Sequence, residues 1–157
     1  MTETDDYVAV VRVQNAYADI VTRRAWPEFH ELFLPEATVQ VDRRNGDPLI
    51  FDGPDGISGF IDTAFEAYPF FIFTILNTHI DLYPGDDQDV AHARKYICEL
   101  RQEHNGRFSQ AFGLYQDIYR RVDNRWWIAK RFYSSLARTG DDLTAFPYPP
   151  NAFLPFQ

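Results

Sequence analysis

The chain has 157 residues, which suits one domain, and it is 45% hydrophobic and 24% charged, as expected of a globular protein rather than a disordered one. Its formal net charge of -8 argues against a nucleic acid or an anionic membrane as the main partner. A single cysteine, Cys98, excludes an intrachain disulfide and any multi-cysteine metal site. The acidic N-terminal segment lacks the order of a signal peptide, and we expect a cytoplasmic protein.

The first half of the sequence predicts three helices and a pair of short strands. Apolar residues recur at three- and four-residue steps over 5–24 and again over 53–68, which is the spacing of a helix that buries one face. Between them, Trp26-Pro27 begins a second, short helix, because proline is favoured in a first helical turn. Alternation over 37–42 and the short segment 48–51, on either side of Asn45-Gly46, predict paired strands.

The second half predicts a four-strand antiparallel meander over 69–83, 89–104, 107–122 and 125–137. Its last two connections are Asn105-Gly106 and Asp123-Asn124, residue pairs that tolerate the positive φ of two-residue hairpin turns. The helices must then cover one face of this sheet. We expect a single domain over 1–157, with a core of about 5–137 and an irregular tail rich in proline and aromatic residues over 138–157.

Several segments together carry a family resemblance: Tyr17-Ala18 to Trp26, 33–37, Phe51-Asp52-Gly53, Asn77-Thr78-His79, 91–96 and 119–129. Their order resembles the nuclear transport factor 2-like superfamily, in particular its SnoaL-like and scytalone dehydratase-like branch. The resemblance implies an α+β cone, or α+β barrel, in which three N-terminal helices cover a curved antiparallel sheet around a hydrophobic pocket. The superfamily includes dehydratases, isomerases, cyclases, dioxygenase small subunits and non-catalytic binders, so the function must be argued from the site.

Strand register places a candidate site in this pocket. If both hairpin turns hold two residues, Arg94 and Lys130 lie opposite Asp117, and Tyr96 lies opposite Tyr115. Apolar neighbours on the same face indicate the concave side, so we predict a pocket that holds Tyr96, Tyr115 and Asp117 beside the two cations. The alternative is a partly buried ion pair among aromatic core residues. In either case the flanking cations keep Asp117 ionised.

His79 is the sharpest single candidate, because a neutral imidazole can accept a proton at neutral pH. By resemblance it matches a catalytic histidine of the scytalone dehydratase-like pattern; a structural histidine bonded to a backbone carbonyl is the alternative. Thr22 stands where that pattern has an aspartate at the end of the first helix, so the His–Asp pair is incomplete. We include Tyr17 and Thr22, both on the first helix, among the candidate ligand-binding residues.

Two functions remain open at this point. The first is a cofactor-independent lyase or isomerase that acts on an apolar, carbonyl-bearing ring compound, with His79 as acid or base. Tyr115 and Tyr96 would then donate hydrogen bonds to a developing enolate, and Asp117 with Arg94 would orient the substrate. The second is a non-catalytic ligand-binding or assembly module, including a role like that of a dioxygenase small subunit.

Both functions carry the same expectations about cofactors and partners. We expect no cofactor and no metal site, because the histidines lack the HxH or HxxxH spacing of metal ligands. We expect a small apolar ligand and, by resemblance, a homodimer formed through outward-facing aromatic residues such as Trp127 and Tyr133. For the enzyme alone, we expect the tail to act as a lid that excludes water through Phe146, Phe153 and Phe156.

Overall fold

The chain forms an α+β structure, seen in a computed structural model that describes residues 2–139 and 142–149. Two α-helices, α1 (Glu3–Arg23) and α2 (Gly53–Phe65), and a 3₁₀ helix (Trp26–Glu31) pack on one sheet. In the described part of the chain, no helix is both long and apolar enough to cross a membrane. The strands are β1 (Phe33–Asp42), β2 (Leu49–Asp52), β3 (Phe70–Leu82), β4 (Val90–Gln102), β5 (Phe108–Val122), β6 (Arg125–Arg138) and β7 (Thr144–Ala145).

The sheet has the order β2-β1-β6-β5-β4-β3, and β7 pairs with β6. Strands β3 to β6 form the predicted antiparallel meander, whereas β1 runs parallel to β6. Strands β2 and β3 lie at opposite edges and do not pair with each other, so the described strands form a curved, open sheet. The expectation of a closed barrel was therefore wrong, while the predicted three helices over a curved sheet are confirmed.

Helix α1 is fixed at both ends by local chemistry. The Thr2 hydroxyl accepts a hydrogen bond from the Asp5 backbone N–H, and the Asp5 carboxylate accepts one from the Thr2 N–H, which forms a capping box. The helix ends where Arg24 adopts a left-handed conformation with φ of 58°. Near this end the Thr22 hydroxyl accepts a 3.1 Å hydrogen bond from the Phe73 N–H, which attaches the helix to β3.

The β5–β6 hairpin confirms the predicted turn and then departs from the predicted register. Asp123 and Asn124 both have positive φ, 50° and 60°, and Arg121 lies opposite Trp126 as expected. The pairing then shifts by one residue between Tyr119 and Ile118, which is a β-bulge on β6. Beyond it, Arg131 lies opposite Asp117, and Lys130 is an exposed residue opposite Ile118.

The same bulge changes the orientation of Tyr133. This residue lies opposite Tyr115, and both residues line the cavity described below. The expectation that Tyr133 belongs to the outer face was therefore wrong. The cause is physical: side chains alternate between faces along a strand, so one inserted residue reverses the side chains that follow it as far as the next irregularity, which lies between Ser135 and Ala137.

The β4–β5 hairpin has a three-residue loop instead of the predicted two-residue turn. The Glu103 N–H donates to the Arg107 carbonyl and the Gly106 N–H donates to the Glu103 carbonyl, with Gly106 at φ of 86°. This is a turn followed by a left-handed glycine, the common three-residue hairpin. The additional residue makes Arg94 face Gln116 and Tyr96 face Leu114, one position away from the predicted partners.

The described part of the tail adds a strand that the sequence analysis did not predict. Strand β7 pairs with Ala137 and Arg138 of β6, beyond the point where the pairing of β1 with β6 ends. Phe146 follows it and stacks on the guanidinium groups of Arg44 and Arg138, at 5.3 and 5.9 Å from their central carbons. Phe153 and Phe156, the other residues of the expected lid, lie outside the described residues.

Candidate active site

A cavity of about 520 Å³ lies between α2 and the sheet and reaches α1. Its volume falls within the range of small-molecule sites, roughly 300–1,000 Å³. Most of its lining is aliphatic or aromatic, and α2 contributes Ile57, Phe60, Ile61, Ala64 and Phe65. Such a lining favours a mainly apolar ligand that is oriented by a few polar groups.

Two tyrosines and an arginine form the first polar group. The Tyr17 and Tyr115 hydroxyl oxygens are 3.4 Å apart, and the Arg131 guanidinium carbon lies 4.2 Å from the centre of each ring. Burial raises the pKa of both phenols, and it does so strongly for Tyr115, so they stay protonated and can donate hydrogen bonds. Arg131 Nη1 has no hydrogen-bond partner in the described structure, although the residue lines the cavity.

Arg131 is held in this position by a buried carboxylate. Its Nε and Nη2 donate to Asp117 at 2.7 and 2.8 Å, and the Tyr119 hydroxyl donates to the same carboxylate at 2.7 Å. Burial would raise the pKa of Asp117, but Arg131 and Lys95 outweigh it, so the pKa lies below its usual range. Asp117 is therefore ionised, as the sequence predicted, and fully enclosed. It can fix the arginine but does not line the cavity.

Lys95 completes the buried charge cluster. Its ammonium nitrogen is 3.6 Å from Asp117 Oδ2 and lies over the rings of Tyr17 and Tyr115. Burial, followed by repulsion from Arg131, lowers the pKa of Lys95 to about 7 although Asp117 opposes this shift. The lysine is fully buried and is not among the residues that line the cavity. It therefore contacts the rings of both tyrosines without itself lining the cavity.

The second polar group lies on the neighbouring wall, where β4, β5 and β6 provide Glu99, Arg101, Ser109 and Arg138. Arg101 Nε and Ser109 Oγ are buried without a hydrogen-bond partner in the described structure. Glu99 Oε2 is 3.7 Å from Arg101 Nη1, beyond hydrogen-bond distance. Burial raises the pKa of Glu99 despite the nearby arginines Arg101 and Arg138.

The cavity is electrostatically unlike the rest of the molecule. Among the described residues, four arginines and only two glutamates line it, although the whole chain has a formal net charge of -8. With its unpartnered hydrogen-bond donors, this excess of cations suits a ligand that carries a carbonyl or carboxylate oxygen. The arrangement can hold a developing negative charge without rearranging.

The structure brings only part of the predicted site together. Tyr17 and Tyr115 line the cavity, and Asp117 lies behind them. Arg94 and Lys130 were expected beside Asp117, and that placement was wrong because both registers shift by one residue. Their immediate neighbours in sequence, Lys95 and Arg131, take these places.

The positions of three more predicted site residues also differ from the expected ones: Tyr96, His79 and Thr22. His79 is an exposed residue opposite Arg94, and Tyr96 donates to or accepts from Tyr148 at 2.8 Å. Both belong to the face of the sheet opposite Lys95, so the expected place for His79 beside Tyr115 was wrong. Thr22 caps a backbone N–H of β3 and does not line the cavity. No histidine is among the described residues that line it.

Sequence reasoning missed Lys95, Glu99, Arg101 and Arg131 as members of the site. The alternation of residues along β4 contains the signal, because Lys95, Ile97, Glu99 and Arg101 occupy one face. The incorrect loop length assigned them to the other face. The described residues hold no group of three or more histidine, cysteine, aspartate or glutamate side chains that could bind a metal ion.

These features define the class: an α+β domain of the nuclear transport factor 2-like fold with a small-molecule cavity. A family model for the SnoaL-like domain matches residues 2–132, and the chain belongs to this family. No curated protein matches the sequence.

Solved structures show the same fold at low sequence identity. LinA has 15% identity and a TM-score of 0.76, with 94% of this chain and 95% of that chain covered. A scytalone dehydratase-like protein from Novosphingobium aromaticivorans has 18% identity and a TM-score of 0.72, with 95% and 94% covered. A third similar structure, described as an NTF2-like protein with a cystatin-like fold, comes from the same organism; it has 17% identity and a TM-score of 0.70, with 85% and 83% covered.

Proposed function

We propose that this protein binds a small, apolar ring compound in the cavity and catalyses a cofactor-independent lyase or isomerase reaction at its carbonyl group. The observation that carries the proposal concerns Arg131, a buried cation among the residues that line the cavity, whose Nη1 has no hydrogen-bond partner in the described structure. Leaving such a donor unpaired is costly, and a carbonyl oxygen would satisfy it.

The neighbouring groups support a reaction at this oxygen. Asp117 fixes the guanidinium group through two short hydrogen bonds, so the donor is oriented before a ligand arrives. Tyr17 and Tyr115 add two phenol groups on the same side of the cavity. When a proton leaves the carbon next to a carbonyl group, negative charge moves to the oxygen, and donors fixed in this way stabilise it.

The similar solved structures support the proposal only at the level of the fold. The scytalone dehydratase-like structure and LinA share the fold, and their identities of 18% and 15% carry no conclusion about the substrate of this chain. The cavity volume of about 520 Å³ accommodates a bicyclic or tricyclic compound. The proposal therefore rests on the chemistry of the cavity itself.

A matched pair of ligands tests the binding step. The bicyclic ketone β-tetralone and its parent hydrocarbon tetralin differ only in the carbonyl group. Because a hydrogen bond to a charged group contributes about 1.5–3 kcal/mol, the ketone should bind at least about tenfold more tightly in isothermal titration calorimetry. Equal affinities for the two compounds would contradict the assignment of Arg131 as the oxygen-binding group.

Two substitutions on α2 test the location. Ala64 and Thr63 are neighbouring exposed residues of the same helix, and only Ala64 lines the cavity. Ala64→Trp should fill the cavity and abolish binding of β-tetralone, whereas Thr63→Trp should leave it unchanged. Binding that survives Ala64→Trp would place the ligand elsewhere.

A non-catalytic binding or assembly module is the second candidate. It is favoured by one observation, the lack of histidine among the described residues that line the cavity. The discriminating experiment follows exchange of the α-hydrogens of β-tetralone in heavy water by NMR. Catalysed exchange supports the enzyme, whereas tight binding without exchange supports the module. The homodimer and the cytoplasmic location stay predictions, and light scattering at several concentrations tests the dimer.

A further inference from the structure

We infer that the second polar group of the cavity is a carboxylate-binding subsite, in which Arg101 and Ser109 bind the acid group of a ring carboxylic acid. The inference goes beyond the proposed function, because it assigns a ligand class to a part of the cavity that does not involve Arg131. Along β5, Ser109 lies eight residues from Asp117, the partner of Arg131. At roughly 3.3 Å per residue this separation is about 26 Å, so the two polar groups are separate subsites.

The first step of the argument concerns two buried polar atoms. Arg101 Nε and Ser109 Oγ both lack a hydrogen-bond partner in the described structure, and both residues line the cavity. The two residues lie directly opposite each other on β4 and β5, so their side chains share a face and their Cβ atoms are roughly 4.5–5.5 Å apart. Buried polar groups are normally satisfied, so two neighbouring exceptions in a cavity wall indicate a place for ligand oxygens.

The second step compares the guanidinium group of Arg101 with that of Arg131. Arg131 binds the Asp117 carboxylate through Nε and Nη2. The corresponding Nε of Arg101 has no partner in the described structure, and its guanidinium carbon lies 4.9 Å from the ring centre of Tyr68, which also lines the cavity. Stacking on the ring supports the guanidinium plane. A ligand carboxylate at this Nε would therefore repeat the contact that Arg131 makes with Asp117.

The third step is charge compensation, which decides between a neutral and an anionic ligand group. The charge of Arg131 is balanced by Asp117 through hydrogen bonds of 2.7 and 2.8 Å, so a neutral carbonyl oxygen suits its remaining donor. Among the described residues, the carboxylate beside Arg101 is that of Glu99, at 3.7 Å and beyond hydrogen-bond distance. A ligand carboxylate would form the close charged contact that the described residues do not give Arg101.

The other charged residues at this end of the cavity act in the same direction. In the pairing of β4, β5 and β6, Ala111 lies between Glu99 and Arg138, which places Arg138 on the same face. Glu103 and Arg107 pair with each other at 2.7 Å, so their charges balance. Among the described residues that line this end, cations therefore outnumber carboxylates by one. Burying a charged ligand group is costly unless it is paired, and this excess supplies the pairing charge.

The fourth step is the apolar surface beside the subsite, which determines the rest of the ligand. On β3, Phe71 lies opposite Arg101 and Phe73 lies opposite Glu99. Both phenylalanines line the cavity, and the ring of Phe65 on α2 lies 3.9 Å from that of Phe71, centre to centre. Flat aromatic surfaces next to a cation suit a ligand that joins a ring to an acid group.

Arg101→Gln tests the inference, with Arg120→Gln as the control because Arg120 is an exposed residue of β5 that does not line the cavity. The probes are 2-naphthoate and 2-naphthamide, which share a ring system and differ in charge, and calorimetry measures both affinities. Because hydrogen bonds between charged groups are stronger than those to neutral groups, the wild type should prefer naphthoate at least about tenfold. Arg101→Gln should reduce this preference to about twofold or less, and Arg120→Gln should keep it.

A second variant has an effect of the opposite sign. Glu99→Gln removes the negative charge that lies 3.7 Å from Arg101, so the preference for naphthoate should increase at least about threefold. This variant tests the inference even if Arg101→Gln does not fold. A naphthoate preference that neither variant changes would place the carboxylate elsewhere and overturn the inference.

The outcomes separate this inference from the proposed function. Equal wild-type affinities for the two probes, or binding of neither, would overturn the carboxylate subsite and leave the proposed function standing, because β-tetralone is neutral and its test concerns Arg131. Equal affinities for β-tetralone and tetralin would contradict the role of Arg131 and leave the carboxylate subsite standing.

Discussion

Two carboxylates, the buried Asp6 and the mostly buried Glu99, have opposite surroundings. Asp6 on α1 accepts hydrogen bonds from Tyr83, Trp126 and, through both oxygens, Arg121, at 2.5–2.9 Å. Among the described residues, the only ion pair recorded for Glu99 is the distant one with Arg101. Burial raises the pKa of each, but the hydrogen bonds to Asp6 overcome this and lower its pKa, whereas the pKa of Glu99 stays raised.

This difference separates a structural site from a functional one. The network around Asp6 joins α1 to β5, β6 and the residue after β3, and it leaves no bonding capacity for a ligand. The wall around Glu99 contains unpartnered polar atoms in Arg101 and Ser109 and faces a cavity. Buried polar groups are normally satisfied by the protein, so the exceptions mark where a ligand would be bound.

The largest expected effect comes from breaking the satisfied network. Asp6→Ala leaves Arg121 and Trp126 without their buried acceptor, so we expect a loss of about 3 kcal/mol in the free energy of unfolding. Urea denaturation followed by circular dichroism measures it. The control is Asp19→Ala on the same helix, where the aspartate is 63% exposed and pairs with Arg23. It should cost less than about 0.5 kcal/mol. Equal losses in the two variants would contradict a structural role for the Asp6 network.

The fold was largely predictable from the sequence, since helical periodicity and the turn residues Asp123-Asn124 are local signals. The orientation of the site was not. Asn105-Gly106 fits both a two-residue turn and a three-residue loop with glycine at the left-handed position, and these alternatives place Lys95 on opposite faces. The bulge near Ile118 has no sequence signal of this kind, because it depends on pairing between distant strands.

His79 illustrates the same limit for function. Its position along the chain resembles a catalytic pattern, but a second irregularity, between Ile75 and Asn77 on β3, precedes it. The side chain therefore lies on the face of Arg94 and not on that of Lys95. Tyr115 and Asp117 were placed correctly in the interior because the Asp123-Asn124 turn was predicted correctly and pairs Tyr119 with Ile128, which fixes the face of β5.

A smaller effect is expected when the cavity wall is overpacked. A Cβ atom at Gly113 would lie 2.4 Å from the Tyr133 ring and 3.2 Å from an Ile97 methyl group. Gly113→Ala must therefore move the ring, which can shift into empty space, so the cost should stay at the low end of overpacking, about 1 kcal/mol. The displaced ring reduces the cavity volume, and β-tetralone affinity should fall. Calorimetry that finds unchanged affinity would contradict this arrangement of the wall.

The smallest effect is expected for Glu99→Gln, which should change Tm in a way that depends on pH. The folded state holds Glu99 with a raised pKa, which means that it disfavours the charged form. The cost is absent below the pKa of the unfolded chain and complete above the raised folded value. Glu99→Gln should therefore increase Tm at neutral pH and change it little in acid. Asp6→Asn should have the opposite effect and lower Tm most at neutral pH. The reason is that the pKa of Asp6 is lowered in the folded state, which stabilises the fold at pH values above the pKa of the unfolded chain. Thermal denaturation across pH measures both. A Glu99→Gln variant that is less stable than the wild type at neutral pH would show that the carboxylate supports the fold, and the contrast between the two carboxylates would be lost.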